Sequence, residues 1–178
     1  MAFQKFLKRA GFTGELPKVV PCGSRNETFD SFRTARREPK PGDILLLVDS
    51  EDPVSGTAIE HLRNHDKWIF DCDVTENQVH LMVTSMETWL VVDRGALSSQ
   101  FGSKLRMSAL PPLENLEIRP RSEVLKSLQS ATAECGRGRG YQKGETSFRV
   151  LERVDPAALE QYLPHCKRLL DALRDKCP

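Results

Sequence analysis

Apolar positions along this chain follow two periods, one helical and one strand-like. Phe3, Phe6, Leu7 and Ala10 recur at helical spacing, and Gly11 is placed to stop that helix. Lys18-Val19-Val20 reads as a short strand ending in Pro21-Cys22-Gly23-Ser24. Ser24 and Glu27 then form an S-x-x-E capping box for a helix to about Arg36. Its apolar stripe is Phe29, Phe32 and Ala35, and its basic remainder is Arg25, Arg33, Arg36 and Arg37. Pro39-Lys40-Pro41-Gly42 breaks it. The continuous apolar run Ile44-Leu45-Leu46-Leu47-Val48 follows, the pattern of a strand buried on both faces.

Ala58 to Asn64 reads as a helix, Val79-His80-Leu81-Met82-Val83 as a third strand, and Met86 to Arg94 as an apolar helix. Met86, Trp89 and Leu90 take the spacing that burial requires. From Gly95 onward the pattern turns to helices and loops. Ala109-Leu110-Pro111-Pro112 and Arg119-Pro120-Arg121 are breaks, and Ser122 can cap a helix to about Glu134. Asp155-Pro156 joins a cap to a first-turn proline, and the last helix places Leu169, Leu170 and Leu173 on one face. Strands alternating with helices predict βαβ crossovers, so the expected class is α/β with a small parallel sheet. The expected division is an α/β core over 1–94 and a helical C-terminal extension over 95–178, packed on the same domain.

Composition narrows the function classes. The 178 residues, 39% hydrophobic and 29% charged, suit one compact domain with a real core. No stretch approaches the ~20 apolar residues of a membrane span, and Met1 to Arg9 lacks the apolar core of a secretory signal, which predicts a cytoplasmic location and no membrane partner. A net charge of +1 leaves any nucleic-acid binding to local patches. The five cysteines are odd in number and contain no C-x-x-C pair, which predicts reduced, mostly buried thiols. His61 and His65 lie one helical turn apart, but Glu60 precedes the first histidine instead of following it as in H-E-x-x-H, so they read as a solvated helix face.

Two segments carry candidate chemistry. The apolar run ends in Asp49-Ser50-Glu51-Asp52, three carboxylates within four residues. Ligands of open α/β sheets bind beyond the carboxyl ends of the strands. If the extended conformation continues past Val48, Asp49 and Glu51 project to one side, where a divalent cation can bridge them. The competing reading is a polar turn that caps the next helix. The second segment is Cys135 to Gly144, where glycines free the backbone and Arg137, Arg139 and Lys143 supply charge for a phosphate, unless the loop is simply solvated.

Several motifs fall in a recognisable order: Leu46 to Val54; Gln78 to Val83 with Met86-Glu87-Thr88-Trp89 and Asp93-Arg94; Tyr141-Gln142-Lys143-Gly144 with Ser147-Phe148 and Leu151; and Asp155-Pro156. From Phe3 to about Leu173 the chain resembles a bacterial domain-of-unknown-function family with a Toprim-like fold. The resemblance implies a small parallel sheet flanked by helices, and carboxylates that hold magnesium, or manganese, for phosphodiester chemistry. Asp49 and Glu51 match the acidic pair, with Asp52 a further metal ligand. Relatives start with a further strand ending in a Glu-Gly-Gly motif; here the chain starts at the following helix, so that glutamate has no counterpart. Glu87, Asp71 and Asp73 are the candidates to replace it.

The resemblance implies a magnesium-dependent nuclease cleaving DNA or RNA in anti-phage defence, with an ABC-type ATPase encoded nearby as partner and homo-oligomerisation left open. Asp49 and Glu51 would hold the metal, and Arg137, Arg139 and Lys143 the nucleic-acid backbone. The alternative is a non-catalytic interaction or regulatory subunit of such an ATPase. A small-molecule phosphotransfer enzyme has neither a P-loop nor a dinucleotide fingerprint to support it.

Overall fold

The computed structural model describes residues 2–14, 16–39, 42–136 and 140–176. Among them are two strands, nine α-helices and short 3-10 turns. Helix α1 (Ala2–Arg9) buries Phe6 and Leu7, and ends at Gly11, whose φ of 94° suits a residue without Cβ. Helix α2 (Arg25–Arg36) starts with the expected capping box. Ser24 Oγ accepts the Glu27 N–H at 3.3 Å, and Glu27 Oε2 accepts the Ser24 N–H at 2.7 Å.

Strand β1 (Leu46–Asp49) leads through helix α3 (Ala58–Asp66) to strand β2 (Val79–Met82), which lies parallel to β1. Leu46 pairs with Val79 and Asp49 with Met82. Thr57 and Glu60 form a second capping box on α3, and both Glu76 carboxylate oxygens accept N–H groups of its first turn, from Ala58 and Ile59 at 3.0 Å.

The alternation of a strand decides what packs on each face of this sheet. Leu46, Val48, Val79, Leu81 and Val83 join Phe29, Phe32, Leu62, Trp68 and Phe70 in one apolar cluster beneath α2 and α3. Leu45, Leu47 and Met82 point into a second, larger cluster. That cluster is built by α1 with helices α4 (Met86–Val92), α5 (Arg94–Phe101), α6 (Arg121–Thr132), α7 (Glu145–Leu151), α8 (Pro156–Tyr162) and α9 (Pro164–Lys176). Trp89 is fully buried in it, with its ring 5.5 Å from that of Phe6. The N-terminal helix thus shares its core with the C-terminal helices, α7 and α8 among its neighbours.

The chain is α/β in the coarse sense expected, with a smaller sheet. Lys18-Val19-Val20 forms no strand. Pro17 and Pro21 bracket the segment and have no N–H of their own to extend a ladder, and Val20 is 59% exposed, so little apolar burial offsets the cost of ordering it. Val79 to Met82 is therefore the second strand, and α3 provides the only crossover among the described residues. Helix α6 begins at Arg121, with Pro120 as its cap, two residues earlier than a Ser122 cap allows. Asp155 caps α8 through the Ala157 N–H, with Pro156 in the first turn. Cys22, Cys72, Cys135 and Cys166 are free thiols, of which Cys135 and Cys166 are buried. No described helix is long and apolar enough to cross a membrane.

Candidate active site at the carboxyl ends of the strands

Asp49 closes β1, and its Oδ1 accepts the Met86 N–H at 3.1 Å, which ties the strand end to the start of α4. The chain keeps its pairing for two more residues: Ser50 N donates to Met82 O at 3.1 Å, and Glu51 N to Thr84 O at 2.9 Å. It does not stay extended. Glu51 has a φ of 67°, in the left-handed region, which turns its side chain into an ion pair with Arg121, the first residue of α6.

Glu87, in the first turn of α4, is 3% exposed. Its Oε1 accepts the Tyr141 hydroxyl at 2.6 Å and lies 3.7 Å from Lys143 Nζ. The Tyr141 hydroxyl lies 2.7 Å from Ser147 Oγ on α7, and the Tyr141 N–H donates to Thr132 Oγ1 on α6 at 2.8 Å. Five elements of the chain therefore hold the site: β1, α4, α6, α7 and the segment between α6 and α7.

The electrostatics follow from this convergence. Burial, and then the charge of Glu87, push the Asp49 carboxyl up to about 6, against the opposing pull of Arg121, Lys143 and the Met86 N–H. Burial and the bond to Glu87 likewise raise the Tyr141 hydroxyl far above its ordinary range, so it remains a proton donor. The hydroxyls of Thr84 and Ser85, immediately before α4, are buried and make no hydrogen bond among the described residues.

The remaining sequence candidates sort themselves by position. Asp52 is 68% exposed and lies 3.4 Å from His65 Nε2, at the surface. Asp73 is 72% exposed and bound to Arg36 at 2.6 Å, and Asp71 is exposed. Lys143 joins the site, whereas Arg137 and Arg139 lie outside the described residues. His61 is not simply solvated: its Nε2 lies 2.9 Å from Ser50 O, bracing the acidic turn from α3.

Sequence reasoning missed Arg121, and it missed the use of Tyr141 and Ser147 as partners of Glu87. A Ser122 cap leaves Arg121 outside the helix and hides its signal, which its place in the first turn of α6 supplies. A cation in the first turn of a helix opposes the helix dipole, so an arginine there needs a local anion to hold it.

Among the described residues no three His, Cys, Asp or Glu side chains gather into a metal-binding group. The donors present are the carboxylates of Asp49 and Glu87, with the hydroxyls of Thr84 and Ser85 in the segment that leads into α4. Hard oxygen donors of this number suit magnesium or manganese, which bind through one or two carboxylates and keep the rest of their shell for water and phosphate.

The family model described as Domain of unknown function (DUF4276) matches residues 3–174, nearly the whole chain. The chain belongs to the DUF4276 family. Neither the search of curated proteins nor that of solved structures found a match. Every site residue described above lies within the DUF4276 match, so the site is part of the family domain and not an addition to it.

Proposed function

We propose that this chain is a divalent-cation-dependent phosphodiesterase acting on nucleic acid. The observation that supports it is the convergence of charge on Asp49, which feels Glu87, Arg121 and Lys143, with Lys143 Nζ 3.7 Å from Glu87. A buried carboxylate whose proton affinity is raised by burial and by a second carboxylate is costly to keep ionised without a cation, and flanking cations favour an anionic substrate. Asp49 and Glu87 would hold magnesium or manganese, which supplies charge neutralisation at a phosphate and a more acidic bound water.

The chain's own residues do the rest. Tyr141 and Ser147 hold Glu87 in one orientation, and the Met86 N–H holds Asp49. Lys143, more exposed than Glu87, is placed to meet the phosphate while remaining within reach of that carboxylate. In this reading Glu51 serves Arg121 and not the metal. The Toprim-like resemblance adds the expectation of an ABC-type ATPase partner and a role in anti-phage defence.

The test is incubation of the purified protein with labelled DNA and RNA in magnesium or manganese. Asp49→Asn and Glu87→Gln should each lower cleavage by about a hundredfold or more. Cleavage that survives both substitutions eliminates the mechanism.

A further inference from the structure

We propose that Arg121 is the residue that receives a phosphate group in this site, and that Glu51 holds it until the phosphate arrives. The inference rests on reading the site as one for phosphate esters. It adds the residue that recognises them.

Arg121 stands where an arginine is least comfortable, in the first turn of α6, and Glu51 is the anion paired with it there. The pairing is made by backbone geometry. Strand β1 delivers Asp49 to the site, and two residues later the left-handed turn at Glu51 carries that carboxylate to the guanidinium. A non-glycine residue adopts such a φ at a steric cost, and here the turn has a visible result.

The pair is also open to exchange. Side-chain exposure is 31% for Arg121 and 27% for Glu51, so water and small anions reach it, and partly exposed pairs of this kind are weak. A phosphate offers the guanidinium a pair of oxygens for its fork, as a carboxylate does, and inorganic phosphate or a monoester adds charge that a carboxylate lacks. Arg121 also bears on Asp49 strongly enough to lower its proton affinity, which places the guanidinium within the field of the acidic pair.

Charge explains why a holding group is useful. Asp49, Glu51 and Glu87 face Arg121 and Lys143, three potential negative charges against two positive. Without a bound metal, wild type therefore receives a free anion weakly. Neutralising Glu51 releases the guanidinium and balances the site.

The experiment is titration of inorganic phosphate into the full chain without divalent cation, followed by calorimetry, for wild type, Glu51→Gln, Arg121→Gln and the double variant. Glu51→Gln should bind phosphate about tenfold tighter than wild type, and both variants lacking Arg121 should bind it no better than one another. If Arg121→Gln fails to fold, Arg121→Lys replaces it; it keeps the charge, loses the fork, and should bind more weakly than wild type. Equal binding by wild type and the Arg121 variant, or no gain in Glu51→Gln, overturns the inference. Phosphate binding as expected, with no cleavage of nucleic acid, would sustain it and count against the nuclease reading alone.

Discussion

The Tyr141 hydroxyl donates to Glu87 Oε1 at 2.6 Å across 54 residues of sequence. A phenol has one proton, so Ser147 Oγ, 2.7 Å away, must donate to the tyrosine oxygen, and the three buried groups form a directed chain that ends on the carboxylate. Tyr141→Phe removes the donor and leaves a buried carboxylate one bond short. The expected loss of stability is about 1–3 kcal/mol in urea denaturation. Divalent-cation affinity by calorimetry should fall about tenfold, as for other groups that orient a ligand from behind. Ser147→Ala should act in the same direction and less.

Asp49 gives a prediction with a sign. Its folded pKa of about 6 lies above the ordinary 3.8, so its contribution to stability is fully present below about 3.8 and is lost as pH rises through about 6. At pH 8 without metal the ionised carboxylate is a net cost. Asp49→Asn should then be more stable than wild type, by about 1–3 kcal/mol, with the difference vanishing toward pH 4. Thermal melts in a chelator across that range measure it. Manganese should raise the melting temperature of wild type and leave Asp49→Asn unmoved.

His80 predicts the opposite slope. It is 1% exposed on β2, its Nε2 bonded to Asn77 O at 3.1 Å, and burial first, with Arg168 assisting, depresses it from 6.5 to about 4. A neutral folded imidazole contributes stability that is complete above about 6.5 and lost as pH falls toward 4. Wild type should lose up to about 3 kcal/mol over that interval on this account, and His80→Gln should show a shallower acid limb in denaturation curves.

Trp89 tests the shared core. Its ring packs on Phe6 at 5.5 Å and Phe3 at 6.3 Å, joining the first helix to α4. Trp89→Ala should cost about 3–5 kcal/mol by cavity formation, and Phe6→Ala a similar amount. The pair should be non-additive in denaturant titrations because they share one contact.

Local pattern determined much of this molecule. The Ser24 capping box, the Phe29 and Phe32 stripe, the apolar strand that ends at Asp49, the Asp155-Pro156 helix start and the leucine face of α9 were all legible, because period and capping depend on residues within a turn or two of each other. One exception, Lys18 to Val20, had strand composition but no strand partner among the described residues and little burial, and pairing is not a local property.

The site divides in the same way. Sequence alone placed Asp49 at a strand end, since an acid at the end of an apolar run is a local signal, whereas Glu87 stood with Asp71 and Asp73 only as a replacement for an acid that the family resemblance implied. Only the tertiary structure decided that Glu87 meets Tyr141 and Lys143, that a turn at Glu51 sends its carboxylate to Arg121, and that Asp71 and Asp73 stay at the surface. Coulomb and hydrogen-bond energies depend on distance in space, and the folded path of the chain, not its spacing in sequence, sets which charges meet.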